Sequence, residues 1–319
     1  MKVFKIGIIG FGNIGKKRFN SINEINNTRI KIEYIVDANK KIKFPKKIKY
    51  YNNFLDVRSI NVDLIIVALP TNISEKIVKE LVGKFNLLVE KPISTNLRLM
   101  NSFIKKSNSN NKILKIGYNL RFDEGLMIAK KIFDKKKIGD IYYAKISYAN
   151  GAARTNTNKV GSLHDMGSHS LNLLQWFFDG TQLSLKYTLQ QNNEFLRRTK
   201  TDNGFSIFKI SNFPCFFHHG FCNWKNLFKF EIYGSKGYLD VSSLSKWGDQ
   251  IVSHGLRRYP SGKPKIKLYK FKRDNSWKNE IIFVINAIIN KSKNSKILIN
   301  SESMNTLKVI KNIEYNENF

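Results

Sequence analysis

A run of β-branched and apolar residues, Phe4 to Ile9, ends directly against Gly10-Phe-Gly12-Asn-Ile-Gly15. Few local arrangements accept that pattern. A buried strand has to stop, the backbone has to turn where side chains are costly, and a helix has to begin with its free N–H groups facing the turn. An amphipathic segment follows over about 13–24. Asp37 closes a second apolar run, Ile30 to Val36, about twenty positions further on. The unit reads as a dinucleotide site in which Gly10, Gly12, Asn13 and Ile14 approach a pyrophosphate and Asp37 meets the ribose. A purely structural glycine turn is the alternative, and the strand, helix and acid disfavour it together. A carboxylate at 37 pairs with a free ribose 2′-hydroxyl and repels a 2′-phosphate, which favours NAD; Lys40 and Lys41 stand close enough to keep NADP open.

Strand-like and helix-like stretches alternate through the first third, the pattern of a doubly wound parallel sheet. Strands are expected at Val3–Ile9, Ile30–Val36, Asp63–Ala68, Leu87–Val89 and Lys112–Gly117. Helices are expected over 13–24, 72–84 and 95–108, with a short one over 50–59. In such a sheet ligands bind beyond the C-terminal strand ends, which here carry Leu69-Pro70, Glu90-Lys91-Pro92 and Tyr118–Arg121. After Arg121 the rhythm changes. One helix, a strand at Ile141–Tyr148, a polar loop and an apolar helix over 165–178 lead into short strands between 183 and 271, read as a mostly antiparallel open sheet. Two helices, 276–291 and 301–315, close the chain. The expected organisation is α/β throughout, with a Rossmann domain over 1–120 and a second α/β domain over 121–319 whose last helix packs back on the first.

Two groups of residues have the types that redox chemistry at a hydroxyl requires. Lys91 follows a buried strand at the ligand edge, where an ammonium is costly unless exposed or useful; an ordinary strand-end turn is the other reading. Asp165, His169 and Asn172 have helical spacing, which puts carboxylate, imidazole and amide in one column if a helix starts near Asp165. Asp165 as an N-cap and His169 as a core histidine remain open on spacing alone. His164 and His169 are five apart, so their side chains diverge and no metal site is expected. The two cysteines, Cys215 and Cys222, lie in no CxxC pair, and neither a zinc site nor a disulfide framework is expected.

Gly10–Gly15, Glu90-Lys91-Pro92, Gly117-Tyr-Asn-Leu-Arg-Phe122 and Asp165-x-Gly167-x-His169, in this order and spacing, resemble the glucose-fructose oxidoreductase and inositol dehydrogenase family (Gfo/Idh/MocA). The resemblance covers nearly the whole chain. It implies a Rossmann domain followed by an α/β domain whose open sheet forms the oligomer interface, and nicotinamide-dependent oxidation of a sugar or cyclitol hydroxyl. Carried over residue by residue, it sets Lys91 against the nicotinamide and the reacting hydroxyl, gives His169 the hydroxyl proton, and has Asp165 position substrate and Lys91. Leu69, Pro70 and Glu90 join the cofactor contacts, and Asn119, Arg121, Arg154 and Asn172 are the candidate substrate contacts. The chain departs from its relatives at Leu69 and Ser74, where Thr and His are common, and at Asn172, where Asp is frequent. The 142–180 and 221–241 regions resemble members from surface-polysaccharide pathways. A non-catalytic dinucleotide-binding sensor of the same fold is the alternative function.

Fifty-five Lys and Arg against 24 Asp and Glu give a net charge of +31. Lys outnumbers Arg about four to one, and the lysines are scattered among Asn, Ile and Phe with no nucleic-acid motif. A compositional bias on solvated faces is one reading of the charge, and a phosphate-bearing substrate such as a nucleotide-linked sugar is the other. No apolar run approaches the ~18 residues of a membrane span. A cytoplasmic enzyme without nucleic-acid or membrane partners is expected. An apolar patch on the second sheet, with Phe205, Phe208, Phe216, Phe230 and Ile232 exposed, is expected to pair subunits into a dimer or tetramer.

Overall fold

A computed structural model describes residues 3–39, 41–152, 160–193, 201–290 and 301–316. Lys40 and Arg154 lie outside the described residues. The chain divides into two compact units, Met1–Asn119 with Trp277–Met304, and Leu120–Ser276 with Asn305–Phe319.

In the first unit, β1 (Phe4–Ile9), β2 (Ile30–Val36), β3 (Lys49–Tyr51), β4 (Leu64–Val67), β5 (Leu87–Glu90) and β6 (Leu114–Gly117) form one parallel sheet in the order β3-β2-β1-β4-β5-β6. Helices α1 (Asn13–Asn23), α2 (Thr71–Leu81) and α3 (Leu97–Ser109) make the crossovers. Strand β4, Leu-Ile-Ile-Val, is buried at every position, as a strand covered on both faces must be. The order reverses between β1 and β4, which is the point where a doubly wound sheet opens a ligand crevice. The segment read as a short helix over 50–59 is instead β3 followed by a single 3₁₀ turn, Phe54–Val57. Pairing of Tyr50 and Tyr51 with Ile35 and Val36 decides this, because two aromatic residues fit a strand better than a helix start.

In the second unit, α4 (Glu124–Asp134), β7 (Ile141–Ala149) and α5 (Ser168–Phe177) precede a run of strands: β8 (Leu183–Gln191), β9 (Asn203–Ile210), β10 (Phe213–Gly220), β11 (Leu227–Gly234), β12 (Gly237–Ser242), β13 (Gln250–Leu256) and β14 (Lys265–Phe271). They form an eight-stranded sheet, β14-β13-β12-β11-β7-β10-β9-β8, antiparallel except for β7 with β10. Strand β13 carries Ser253, His254 and Gly255 in its middle, which hid its period in the sequence. Pairing fixes which residues look outward. Lys145, Glu231, Asp240 and Ser253 lie opposite one another on one face, and the alternate positions face the helices. The expected apolar patch is therefore only partly right: Phe208, Phe230 and Ile232 fall on the inner face and are buried, whereas Phe205 and Phe216 are 45% and 44% exposed. Tyr187, Leu189, Ile266 and Leu268 join them on the outer face.

The closing helices α6 (Ser276–Ile289) and α7 (Ser301–Asn316) serve different cores. Ile281, Val284 and Ile285 of α6 pack with β1, β2 and β4 of the first unit. Val309, Ile310 and Ile313 of α7 join the second unit's core beneath the large sheet. Among the described residues, no helix is long and apolar enough to cross a membrane.

Candidate active site

The glycine turn assigns a separate job to each glycine. Gly10 has φ +93°, and a Cβ there would lie 2.4 Å from the Ala68 carbonyl oxygen. At Gly15 a Cβ would lie 2.0 Å from the Gly10 carbonyl oxygen, so this glycine lets α1 close onto β1. Gly12 is different. Its backbone is extended (φ −68°, ψ −162°), and an added Cβ would meet no protein atom within 4 Å. Neither conformation nor packing explains glycine at 12. Open space directly ahead of the uncapped N-terminus of α1, where Asn13 and Ile14 are also exposed, fits the close approach of a pyrophosphate.

Asp37, at the end of β2, is tied into the same turn. Its Oδ2 accepts the Phe11 N–H at 2.6 Å, its Oδ1 accepts the Asn39 N–H at 2.8 Å, and the Tyr50 hydroxyl donates to its carbonyl. Leu69 and Pro70 lead into α2, with Pro70 exposed at the N-cap position. Glu90 ends β5, Lys91 is half-buried, the Lys91–Pro92 peptide is cis, and Thr71 Oγ1 donates to the Pro92 carbonyl.

Behind Lys91 lies a buried charge cluster that sequence reasoning missed. Arg18, on the inner face of α1, holds Glu90 through Nε at 2.7 Å and Nη2 at 2.6 Å, and Glu280 of α6 through Nη2 at 2.7 Å. Lys115 stands 3.7 Å from the other Glu280 oxygen, and the Trp277 ring lies 4.4 Å from the Arg18 guanidinium carbon. Two cations and two carboxylates balance. Burial works against the Arg18 charge, yet the two carboxylates hold its pKa above the usual value. Burial pushes the Glu90 pKa up, opposed mainly by Arg18. Gly117 is needed here, because a Cβ would lie 2.9 Å from Arg18 Nη2.

In the second unit, the column expected from Asp165 onward is altered. Leu163–Gly167 forms a π-helical turn and α5 begins only at Ser168. π turns inside helices recur at functional sites, and here the widened turn carries Asp165. Asp165 and His169 are both half-buried. The His169 ring meets the Tyr148 ring edge-on at 5.9 Å, and Lys246 Nζ donates to the Tyr148 hydroxyl at 2.7 Å.

Two further contacts hold the turn. Ser162 Oγ lies 2.8 Å from Nδ1 of His219, which is fully buried and whose pKa is driven down to about 3 by desolvation, so it is neutral. His164 Nε2 lies 2.6 Å from Glu314 of α7, which Lys311 also contacts at 2.7 Å.

The substrate candidates are placed as follows. Asn119 and Arg121 are buried, with the Arg121 guanidinium 5.5 Å from the Trp176 ring. Asn172 is buried and its amide donates to Thr306 of α7. Both cysteines are free thiols, and no described group of three or more His, Cys, Asp or Glu side chains is arranged to hold a metal.

Comparison with known proteins gives a consistent result. Residues 4–118 match the family model described as oxidoreductase family, NAD-binding Rossmann fold (GFO_IDH_MocA), and residues 126–240 match the GFO/IDH/MocA C-terminal domain. The inositol 2-dehydrogenase/D-chiro-inositol 3-dehydrogenase of Halalkalibacterium halodurans is 25% identical over 186 residues, 55% of this chain and 53% of that protein. The chain thus spans about half the length of that curated relative. Among solved structures, GenD2 from gentamicin A biosynthesis, in complex with NAD, superposes with a TM-score of 0.81 at 14% identity, covering 99% of this chain and 94% of that one. KijD10, a 3-ketoreductase from Actinomadura kijaniata in complex with TDP-benzene and NADP, gives 0.80 at 13% identity and 98% coverage of both chains. At these identities the structural likeness concerns the fold.

Proposed function

The chain belongs to the GFO/IDH/MocA oxidoreductase family, and on that basis we propose that it interconverts a secondary hydroxyl and a ketone on a sugar or cyclitol, free or nucleotide-linked. The observation that carries this reading is the retention, in one chain, of a glycine turn left open at Gly12, Lys91 directly after β5, Asp165 on the π turn and His169 in the first turn of α5. A protein that only sensed a dinucleotide would need the first and have no use for the other two.

Hydride leaves a carbinol carbon only as its hydroxyl proton is removed. We assign that proton to His169, because imidazole is the side chain type whose ordinary pKa lies nearest neutrality. The Lys91 ammonium stabilises the negative charge that develops on the oxygen. Asp165 accepts a hydrogen bond from the substrate and orients it. The nicotinamide, when bound, supplies the hydride acceptor, and in the reverse direction the donor. Asp37 favours NAD by pairing with a free ribose hydroxyl. Asn119, Arg121 and Arg154 remain our candidates for holding the substrate. We assign Asn172 to fixing α5 against α7, because its amide is buried and bonded to Thr306.

A net charge of +31 supports a substrate that carries phosphate, such as a nucleotide-linked sugar used in surface-polysaccharide synthesis. The free thiols fit a reducing compartment, and we place the protein in the cytoplasm. The test is reduction of NAD and NADP, followed at the nicotinamide absorbance, across inositols, free sugars, sugar phosphates and nucleotide-linked sugars. Turnover of any one supports the reading. Tight dinucleotide binding with no turnover of any would support a sensor instead.

A further inference from the structure

We infer that Lys246 is a positioning residue of the proton-transfer site: by binding the Tyr148 hydroxyl it fixes the aromatic ring against which the His169 imidazole is oriented. This rests on the reading that His169 exchanges the substrate's hydroxyl proton.

A buried carboxylate well away in sequence anchors the turn that carries Lys246. Asp123 caps α4 by accepting the Leu126 N–H. The same carboxylate accepts the Ser245 hydroxyl at 3.0 Å and the Gln250 side-chain amide at 2.8 Å. Ser245 opens the short turn Ser245–Trp247 and Gln250 begins β13 three residues beyond it, so the chain on either side of Lys246 is bonded to one fixed group. Burial raises the Asp123 pKa while these three donors pull it down.

The turn so held delivers Lys246 to one atom. Its Nζ reaches the Tyr148 hydroxyl at 2.7 Å and lies 4.7 Å from the centre of the Trp247 ring and 5.3 Å from that of Tyr148. A surface lysine ordinarily lays its stem on the protein and extends its ammonium into water. Lys246 keeps exposed surface, yet its ammonium is folded back over two aromatic rings onto a phenol. Protein crowding lowers its pKa, and Asp274, Asp165 and Asp123 pull the other way, so Asp165 lies within reach of its charge.

Tyr148 is consequently restrained along its whole length. Lys246 takes the hydroxyl, Phe228 and Trp247 pack at 5.6 and 5.7 Å, and the remaining edge meets His169. Catalytic imidazoles act within narrow geometric limits, and a displacement of about 1 Å can cost about a hundredfold in rate.

The test observes the His169 ring directly, in the full-length protein with NAD added and histidine labelled with carbon-13. The chain has five histidines, and His169 is assigned by the signal lost in His169→Gln. Lys246→Met and Tyr148→Phe should each move or broaden the His169 signal, the double variant should add nothing to either, and Lys246→Arg should retain the wild-type signal. On whichever polyol the substrate panel identifies, Lys246→Met should lower kcat by about 10- to 100-fold with KM for NAD unchanged. An unmoved His169 signal in a folded Lys246→Met protein would overturn the proposal. Losses that add in the double variant would do the same, since Lys246 would then act without Tyr148. If Lys246→Met fails to fold, Tyr148→Phe and Lys246→Arg carry the same comparison. A panel with no turnover would count against hydride transfer, while the ring signal judges Lys246 by itself.

Discussion

The Phe11 backbone N–H donates to Oδ2 of Asp37 at 2.6 Å, so the acid at the end of β2 is bonded to the middle of the glycine turn. One carboxylate oxygen shapes the pyrophosphate-side loop, and the group as a whole is the one expected to meet the ribose. On the proposed reading, cofactor choice and loop shape are joined in a single residue. Asp37→Ala should weaken NAD binding and narrow the preference for NAD over NADP by at least about tenfold, read by calorimetric titration of both. An unchanged ratio would remove Asp37 from ribose recognition.

Gly12 and Gly15 should separate in their effects. Gly15→Ala forces a Cβ to 2.0 Å from the Gly10 carbonyl and should cost about 1–3 kcal/mol of stability as well as binding. Gly12→Ala meets no protein atom within 4 Å and should fold with a loss below about 1 kcal/mol, yet lose dinucleotide affinity. Urea unfolding paired with calorimetry distinguishes them, and retained affinity in Gly12→Ala would contradict the assignment of that space to a ligand.

The cluster around Arg18 predicts a large structural effect from one neutralised carboxylate. Glu280→Gln leaves Arg18 and Lys115 underpaired in the interior, and breaking a buried pair in this way costs about 3–5 kcal/mol. Urea unfolding should register this loss, and a change below about 1 kcal/mol would show the pair to be dispensable.

How far the sequence could be read differs between these sites. The glycine turn, Asp37, the Lys91 turn and the Asp165-to-His169 spacing are local patterns, visible because strand, turn and helix impose fixed periods on consecutive residues. Arg18 was missed although it shares the buried face of α1 with Gly15, Ser21 and Ile22. Its partner Glu280 is more than 250 positions away, and no local period joins the two. Tyr148 and Lys246 were missed for the same reason. The misplaced Phe208, Phe230 and Ile232 have another cause. Alternation tells that a strand has two faces, but only the pairing register tells which face the helices cover.

Glu314 should contribute a pH-dependent share of stability. Burial alone would raise its pKa, but hydrogen bonds from His164 and Lys311 overcome this and bring it down to about 2. A depressed carboxylate stabilises the folded state above its unfolded pKa, about 4.3, and that contribution disappears as pH falls toward 2. The stability gap between wild type and Glu314→Gln should therefore close between about pH 5 and pH 2 in acid-unfolding curves. A gap that stays constant would show that the bridge is not the cause.

The outer face of the large sheet should pair with a second copy. Phe205, Phe216, Tyr187, Leu189, Ile266 and Leu268 are all at least 43% exposed there, on a chain whose net charge of +31 opposes association. Light scattering at moderate salt should report a dimer or tetramer, and Phe216→Lys should shift it toward monomer. A monomeric wild type at micromolar concentration would refute the pairing.

The central claim, that Lys91 and His169 act on one hydroxyl during hydride transfer, is tested most directly by kcat and dinucleotide affinity measured side by side in Lys91→Ala and His169→Ala. Each variant should lose about a hundredfold or more in kcat while its affinity for NAD stays within a few-fold of wild type. Full turnover in either variant, or a loss that appears only as weakened NAD binding, would contradict the claim.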